Sequence, residues 1–207
     1  MPKGVYKRSN KYKGKYCEGS IHQTDQGEIE VIKNLPREKG KQPRSIVRFT
    51  ETGYTVNIQR SNIPLNKVKD RRKPSVYGVG YLDTDIKIPM RGSSSIIRRI
   101  YDLWANMLKR AYGNYKCQDM YTEVTVDKRW HSFKQFLNTI HMIEGYEEWE
   151  KNNGWHLDKD IKEYGNTIYS LDKCVFVPVE MNARAACYKR WHQKSLADVN
   201  TNGRIFE

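Results

Sequence analysis

The sequence predicts an α+β protein in two parts. A small β-barrel-like domain comes first, and an α/β region follows that ends in a strand–loop–strand–helix unit. Three observations carry this reading. Short alternating polar and apolar runs with a turn signal between them fill residues 17–82. An apolar stripe with three-and-four spacing runs from Ile96 to Ala111. Residues 154–191 pass from one extended run, through turn chemistry, to a second extended run and a helix opened by Pro178. A chain of 207 residues allows one domain or two small ones.

The elements follow in order. Residues 1–16 (MPKGVYKRSNKYKGKY) hold six Lys and Arg and no acid, and read as a flexible basic arm that orders on phosphates. In the β-rich domain, residues 17–82, Glu28–Lys33, Ser45–Thr50 and Tyr54–Gln59 are strands, and Thr52-Gly53 marks a hairpin. The run Lys67–Lys73 (KVKDRRK) is strongly basic, and the glycine-bearing run Val76–Tyr81 is expected to close the sheet. Residues 83–94, with Pro89 and Gly92, read as a linker. Within residues 95–207, Ser93–Ser95 cap a helix that Gly113 stops. Val124–Val126 is a short strand, and Ser132–Ile143 a helix buried through Phe133, Phe136, Leu137 and Ile140. Glu144, Glu147, Glu148 and Glu150 form an acidic loop or helix surface. Trp155–Ile161 and Cys174–Val177 are the strands of the last unit, and Val179 to Trp191 its helix.

Composition narrows the function. Apolar residues make up 38% of the chain and aromatics 12%, enough for a core and against wholesale disorder. No apolar run approaches the length of a bilayer span, and no apolar segment follows the basic N-terminus as in a secretory signal. The expectation is a soluble cytoplasmic protein with no membrane partner. The four cysteines, Cys17, Cys117, Cys174 and Cys187, show no C-x-x-C spacing, so neither zinc nor disulfides are expected. Charge is unevenly placed. Residues 1–116 carry 25 Lys and Arg against 10 Asp and Glu, whereas residues 117–207 carry 12 against 14. The whole excess of the +13 net charge lies in one half, which points to a polyanion partner, most often nucleic acid.

Strand, loop, strand and helix over residues 154–191 is the layout of the ββα-metal nucleases. Such a site needs a divalent cation to neutralise the scissile phosphate, ligands from the first strand and the helix, and a base beside them to activate water. Period-two alternation puts His156, Asp158 and Asp160 on one strand face, with Asn182 available from the helix. The other reading of the same residues is a surface His156 and carboxylates paired with Lys159, Lys162 or Arg184.

The residues also carry a family resemblance. It runs through Trp104-x-x-Met107-x-x-Arg110-x-Tyr112, Tyr121-x-x-Val124-Thr125-Val126 and Trp130-x-x-Phe133-x-x-Phe136. It continues through Leu157-Asp158-Lys159-Asp160-Ile161, Gly165-Asn166-x-x-Tyr169-Ser170, Cys174-x-Phe176-Val177-Pro178 and Asn182. With the opening MPKGVYKRS and Ser75–Tyr81, the chain resembles phage-encoded HNH-endonuclease-like proteins, which often carry DNA-binding modules of AP2 or related type. The resemblance implies an HNH-like ββα motif, a Mg²⁺ ion held by Asp158, Asp160 and Asn182, a double-stranded DNA substrate and an infected bacterial host cell. The chain departs from the pattern at two positions. Asp158-Lys159 falls where Asp-His is usual, and Lys173 falls where the central Asn is usual. Beside Asp158 and Asp160 a lysine is held charged, which makes Lys159 a phosphate clamp rather than a base and leaves His156 as the candidate base.

Candidate phosphate contacts are Lys7, Arg8 and Lys11 in the arm, Lys69, Arg71, Arg72 and Lys73 in the second cluster, and Arg98, Arg99, Lys109 and Arg110 on the first helix. Arg184, Lys189 and Arg190 lie on the last helix. Base reading would fall to a β-ribbon or helix within residues 95–140. Three functions compete: a Mg²⁺-dependent DNA-nicking endonuclease, an inactive relative acting as a sequence-specific repressor, and a phage inhibitor whose basic half docks on an acidic host protein.

Overall fold

The computed structural model of the protein describes residues 14–113 and 123–184. The chain divides into two compact units at Lys73/Pro74. The basic arm therefore lies almost wholly outside the described residues.

The first unit is a four-stranded antiparallel meander, β1 (Ile21–Thr24), β2 (Gly27–Asn34), β3 (Arg44–Phe49) and β4 (Thr55–Gln59), in that spatial order. Alternation turns Ile29, Val31, Val47, Phe49 and Ile58 to one face, where Tyr54, Ile63 and Val68 complete the core. A register shift between Val31 and Lys33 marks a bulge that leaves Ile32 outside. The predicted strands sit where the alternation put them, and β1 is an addition. The barrel expectation is corrected: β1 and β4 are the two edges of an open sheet. The run expected to close it belongs to the second unit. There Tyr77 and Gly78 both take positive φ, the requirement of a type I′ turn, and Val76 bridges Gly80. Tyr81 then donates its N–H to the His131 carbonyl and accepts from Phe133 N–H.

The second unit is built on α1 (Ile96–Tyr112), which buries Ile100, Trp104, Met107 and Leu108 along its apolar stripe. Ser95 is the N-cap residue, but its side chain makes no capping bond. The strand β5 (Thr125–Val126) precedes α2 (Phe133–Thr139), whose cap is the Ser132 hydroxyl accepting from Gln135 N–H. The predicted 132–143 helix tightens at its end into a 3₁₀ turn, Ile140–Met142. Gly145, at φ 81°, then turns the chain into α3 (Tyr146–Lys151). This helix is the acidic stretch. Glu147 and Glu148 sit in its first turn, where the helix dipole favours them, and Trp149 is buried.

The closing elements are β6 (Trp155–Asp158), β7 (Ile168–Tyr169) and β8 (Val175–Pro178). β6 pairs antiparallel with β8, and β7 pairs parallel with β5. Residues 179–184 are helical. The result is a mixed α+β chain with strand, loop, strand and helix in the expected order. No helix among the described residues is long and apolar enough to cross a membrane.

Gly145 ties these elements together sterically: a Cβ there would stand 2.5 Å from the Phe176 carbonyl oxygen of β8. Gly92 has a similar φ, +87°, with nothing near its missing Cβ. Gly145→Ala is therefore expected to lower the stability of the second unit by about 1–3 kcal/mol more than Gly92→Ala. Paired urea titrations read this directly, and equal midpoints for the two variants would refute it.

Candidate functional site

The basic run Lys67–Lys73 is a fixed loop. Val68 is buried in the first core, and the Asp70 side chain is buried beside it. One Asp70 oxygen accepts from the Thr52 hydroxyl at 2.6 Å and the other from Arg72 N–H at 2.8 Å. Arg72 donates to the Thr52 carbonyl at 3.4 Å, and Lys73 to the Gln26 carbonyl at 3.3 Å. These bonds fasten the loop to the β3–β4 and β1–β2 turns. Lys67, Lys69, Arg72 and Lys73 stand exposed, and Arg71 is half-buried. Asp70 was not among the expected site residues, although a single acid inside a run of bases was its signal.

The four candidate cations of α1 divide. Arg98 is held bidentately by Asp102, one turn on, and also donates to the Pro89 carbonyl. Arg99 lies over the Trp149 ring, 4.7 Å from its centre, and donates to the Trp149, Glu150 and Asn152 carbonyls. It thereby closes the C-terminus of α3, where a cation offsets the helix dipole. The N–H groups of Arg98 and Arg99 are thus spent inside the fold, which leaves them to act on a phosphate through charge and not through direct hydrogen bonds. Arg110 donates to the Tyr169 hydroxyl at 3.4 Å, and Lys109 is exposed.

In the last unit, β6 and β8 align Leu157 with Phe176 and Asp158 with Val175. Asp158 is buried. Its Oδ1 accepts from the N–H groups of Asp160 at 2.7 Å and Ile161 at 2.8 Å, which folds the chain sharply after the strand. Lys159 is also buried. Its ammonium donates to Asp160 Oδ1 at 2.6 Å and to the Asn166 carbonyl at 3.0 Å, 5.8 Å from the centre of the Tyr169 ring. Asn166 answers by donating to the Lys159 carbonyl at 2.7 Å and the Ile168 carbonyl at 2.8 Å. The loop between the strands is thus held by Asn166 and not from position 173. Lys173 instead pairs with Glu163 on the surface. Only the Gly165-Asn166 turn signal hinted at this.

The expected single site does not assemble as written. Lys159 is turned inward onto Asp160, so its role as a phosphate clamp is corrected. His156 is exposed and lines a cleft facing α1, a cleft that Asp158, Asp160 and Asn182 do not line. Asn182 is half-buried and Arg184 exposed on the last helical turns. Among the described residues, no three His, Cys, Asp or Glu side chains converge as metal ligands. A Mg²⁺ ion on Asp160 would share that carboxylate with an ammonium already 2.6 Å away, and the two cations repel. The residues present therefore do not fit a divalent ion in this arrangement. Lys7, Arg8, Lys11, Lys189 and Arg190 lie outside the described residues.

Cys174 is fully buried next to this network, and its backbone N–H donates to the Ser170 carbonyl. Burial pushes its thiol up to about 12. The chain matches no family model, no curated protein and no solved structure.

Two outcomes follow. Asn166→Ala removes both clamps on the Lys159 loop and is expected to cost about 1–3 kcal/mol in urea unfolding; an unchanged midpoint would contradict the clamp. Cys174 stays a neutral thiol far above pH 9, so the native protein should resist iodoacetamide at that position until urea unfolds it. Peptide mass spectrometry checks this, and rapid native labelling of Cys174 would contradict it.

Proposed function

We propose that this chain is a double-stranded DNA-binding protein on an HNH-endonuclease-like scaffold, in which an internal lysine takes the charge-balancing part of a metal. The observation that carries this reading is the Lys67–Lys73 loop. The backbone that carries its exposed cations is held in place by the buried Asp70 and Val68, so little backbone ordering opposes their contact with phosphates. The concentration of positive charge in the first 116 residues supports the same partner.

The strand, loop, strand and helix order of residues 155–184 supports the scaffold. Its chemistry supports binding over cleavage. Asp158 spends Oδ1 on two backbone N–H groups, and Asp160 is balanced by Lys159. His156, the candidate base, opens elsewhere. Occupying a DNA site as a repressor needs none of the nuclease steps, and affinity then comes from counterion release.

The test is a mobility-shift titration with duplex DNA, run beside a supercoiled plasmid in Mg²⁺, Mn²⁺ and EDTA. The expected result is a shift retained in EDTA with the plasmid intact. Lys69→Ala/Arg72→Ala should weaken binding to every sequence alike and reduce the slope of log K against log salt by about 2. Metal-dependent nicking that disappears in Asp158→Ala/Asp160→Ala would instead make the protein a nuclease. A stable complex with an acidic host protein and none with DNA would favour the inhibitor reading.

A further inference from the structure

A cleft of about 330 Å³ lies between α1 and the chain that enters and forms β6. Neither the Lys159 network nor the basic loop uses it. One wall is a stripe of α1 carrying Arg99, Asn106 and Arg110, and the other carries Asn153, Trp155 and His156. Asn106, Asn153 and His156 are exposed polar side chains that have no hydrogen-bond partner among the described residues. What sets these three apart is their placement, because all of them line one concavity whose walls come from α1 and from the chain entering β6.

The electrostatics select the ligand. Among the described residues that line the cleft the one acid is Asp102, held by the bidentate bond from Arg98. Arg99 has only neutral carbonyl partners, so its charge is not cancelled by a carboxylate. An anion with several acceptor oxygens fits donors that approach from two walls. A planar carboxylate offers two oxygens, while a phosphate presents its oxygens tetrahedrally. The volume admits one phosphate with part of its sugar and excludes a duplex.

We infer that this cleft seats one phosphate group of a nucleic-acid strand, with Asn106, Asn153 and His156 donating to it and Arg99 supplying the positive field. The inference rests on the nucleic-acid reading above and adds a contact in the second unit.

The probe is a thymidine dinucleotide, which carries one phosphodiester, titrated into the full chain and followed by NMR. The Asn106 and Asn153 side-chain amides and the His156 imidazole should shift together along one saturation curve. Asn106→Ala/His156→Ala changes two exposed side chains and should weaken that curve about tenfold, the effect of losing two modest hydrogen bonds. Lys69→Ala/Arg72→Ala should leave it unchanged. Silence of the three residues at millimolar probe, or shifts that the double variant does not weaken, would overturn the inference. Duplex binding separates the two proposals. Duplex affinity with a silent cleft overturns this one alone, while a cleft that takes the dinucleotide in a chain without duplex affinity overturns the duplex reading alone.

Discussion

The second unit depends on one buried hydrogen bond, from the indole N–H of Trp104 to the Trp130 carbonyl at 2.7 Å. Trp104 is fully buried, and a tryptophan brings both a large apolar area and a donor that must be satisfied. The bond fixes α1 against the 3₁₀ turn Lys128–His131 that leads into α2. Phe133 and Tyr101 pack on the same indole at ring separations of 5.3 and 5.6 Å. Gly80 approaches so closely that a Cβ would stand 3.0 Å from the ring and 2.5 Å from Leu108. Once α1 is set in this way, Arg99 reaches the end of α3, and Asn106 and Arg110 face β6. The positions of the outward groups follow from the inward one.

The Lys159 network obeys a different constraint. A buried ammonium is costly unless it is paired and its N–H groups are bonded. Here Asp160 supplies the charge, the Asn166 carbonyl a second acceptor and the Tyr169 ring a third favourable surface. Asn166 is in turn oriented by the carbonyls it bonds, so loop and lysine hold each other. Removing either partner would strand a charge in a low-dielectric site, a far larger penalty than the net worth of the pair. Such a lock favours one loop conformation. It holds the turn after β6 against the start of β7.

Much of the fold was legible as periodicity. The α1 stripe, the three long strands of the first sheet and the start of α2 near Ser132 are local signals that the tertiary structure kept. The misses are also physical. β1 has four residues with an exposed face and gains its identity only by pairing with β2. α3 has six residues, too few to show a helical period, and is fixed by Trp149 stacking on Phe176. The run Val76–Tyr81 is apolar enough to be a strand of either unit, and the Tyr77-Gly78 turn sends it to the start of α2. At the site, alternation placed His156 and Asp158 on one face, but it cannot register that Asp158 turns back onto the backbone of residues 160 and 161. Asn166 reads as part of a turn and Asp70 is lost in a basic run, because their partners are backbone and hydroxyl groups that no spacing rule reveals.

The placement of charge gives these details a common sense. The pinned basic loop belongs to the first unit and the α1–β6 cleft to the second, and Lys73–Pro74 joins them. In the proposed reading each contact neutralises few phosphates and is weak alone at physiological salt, and covalent linkage makes the second binding step intramolecular, so affinity grows without a large interface in either unit. That suits a chain whose buried aromatic residues are spent on two separate cores.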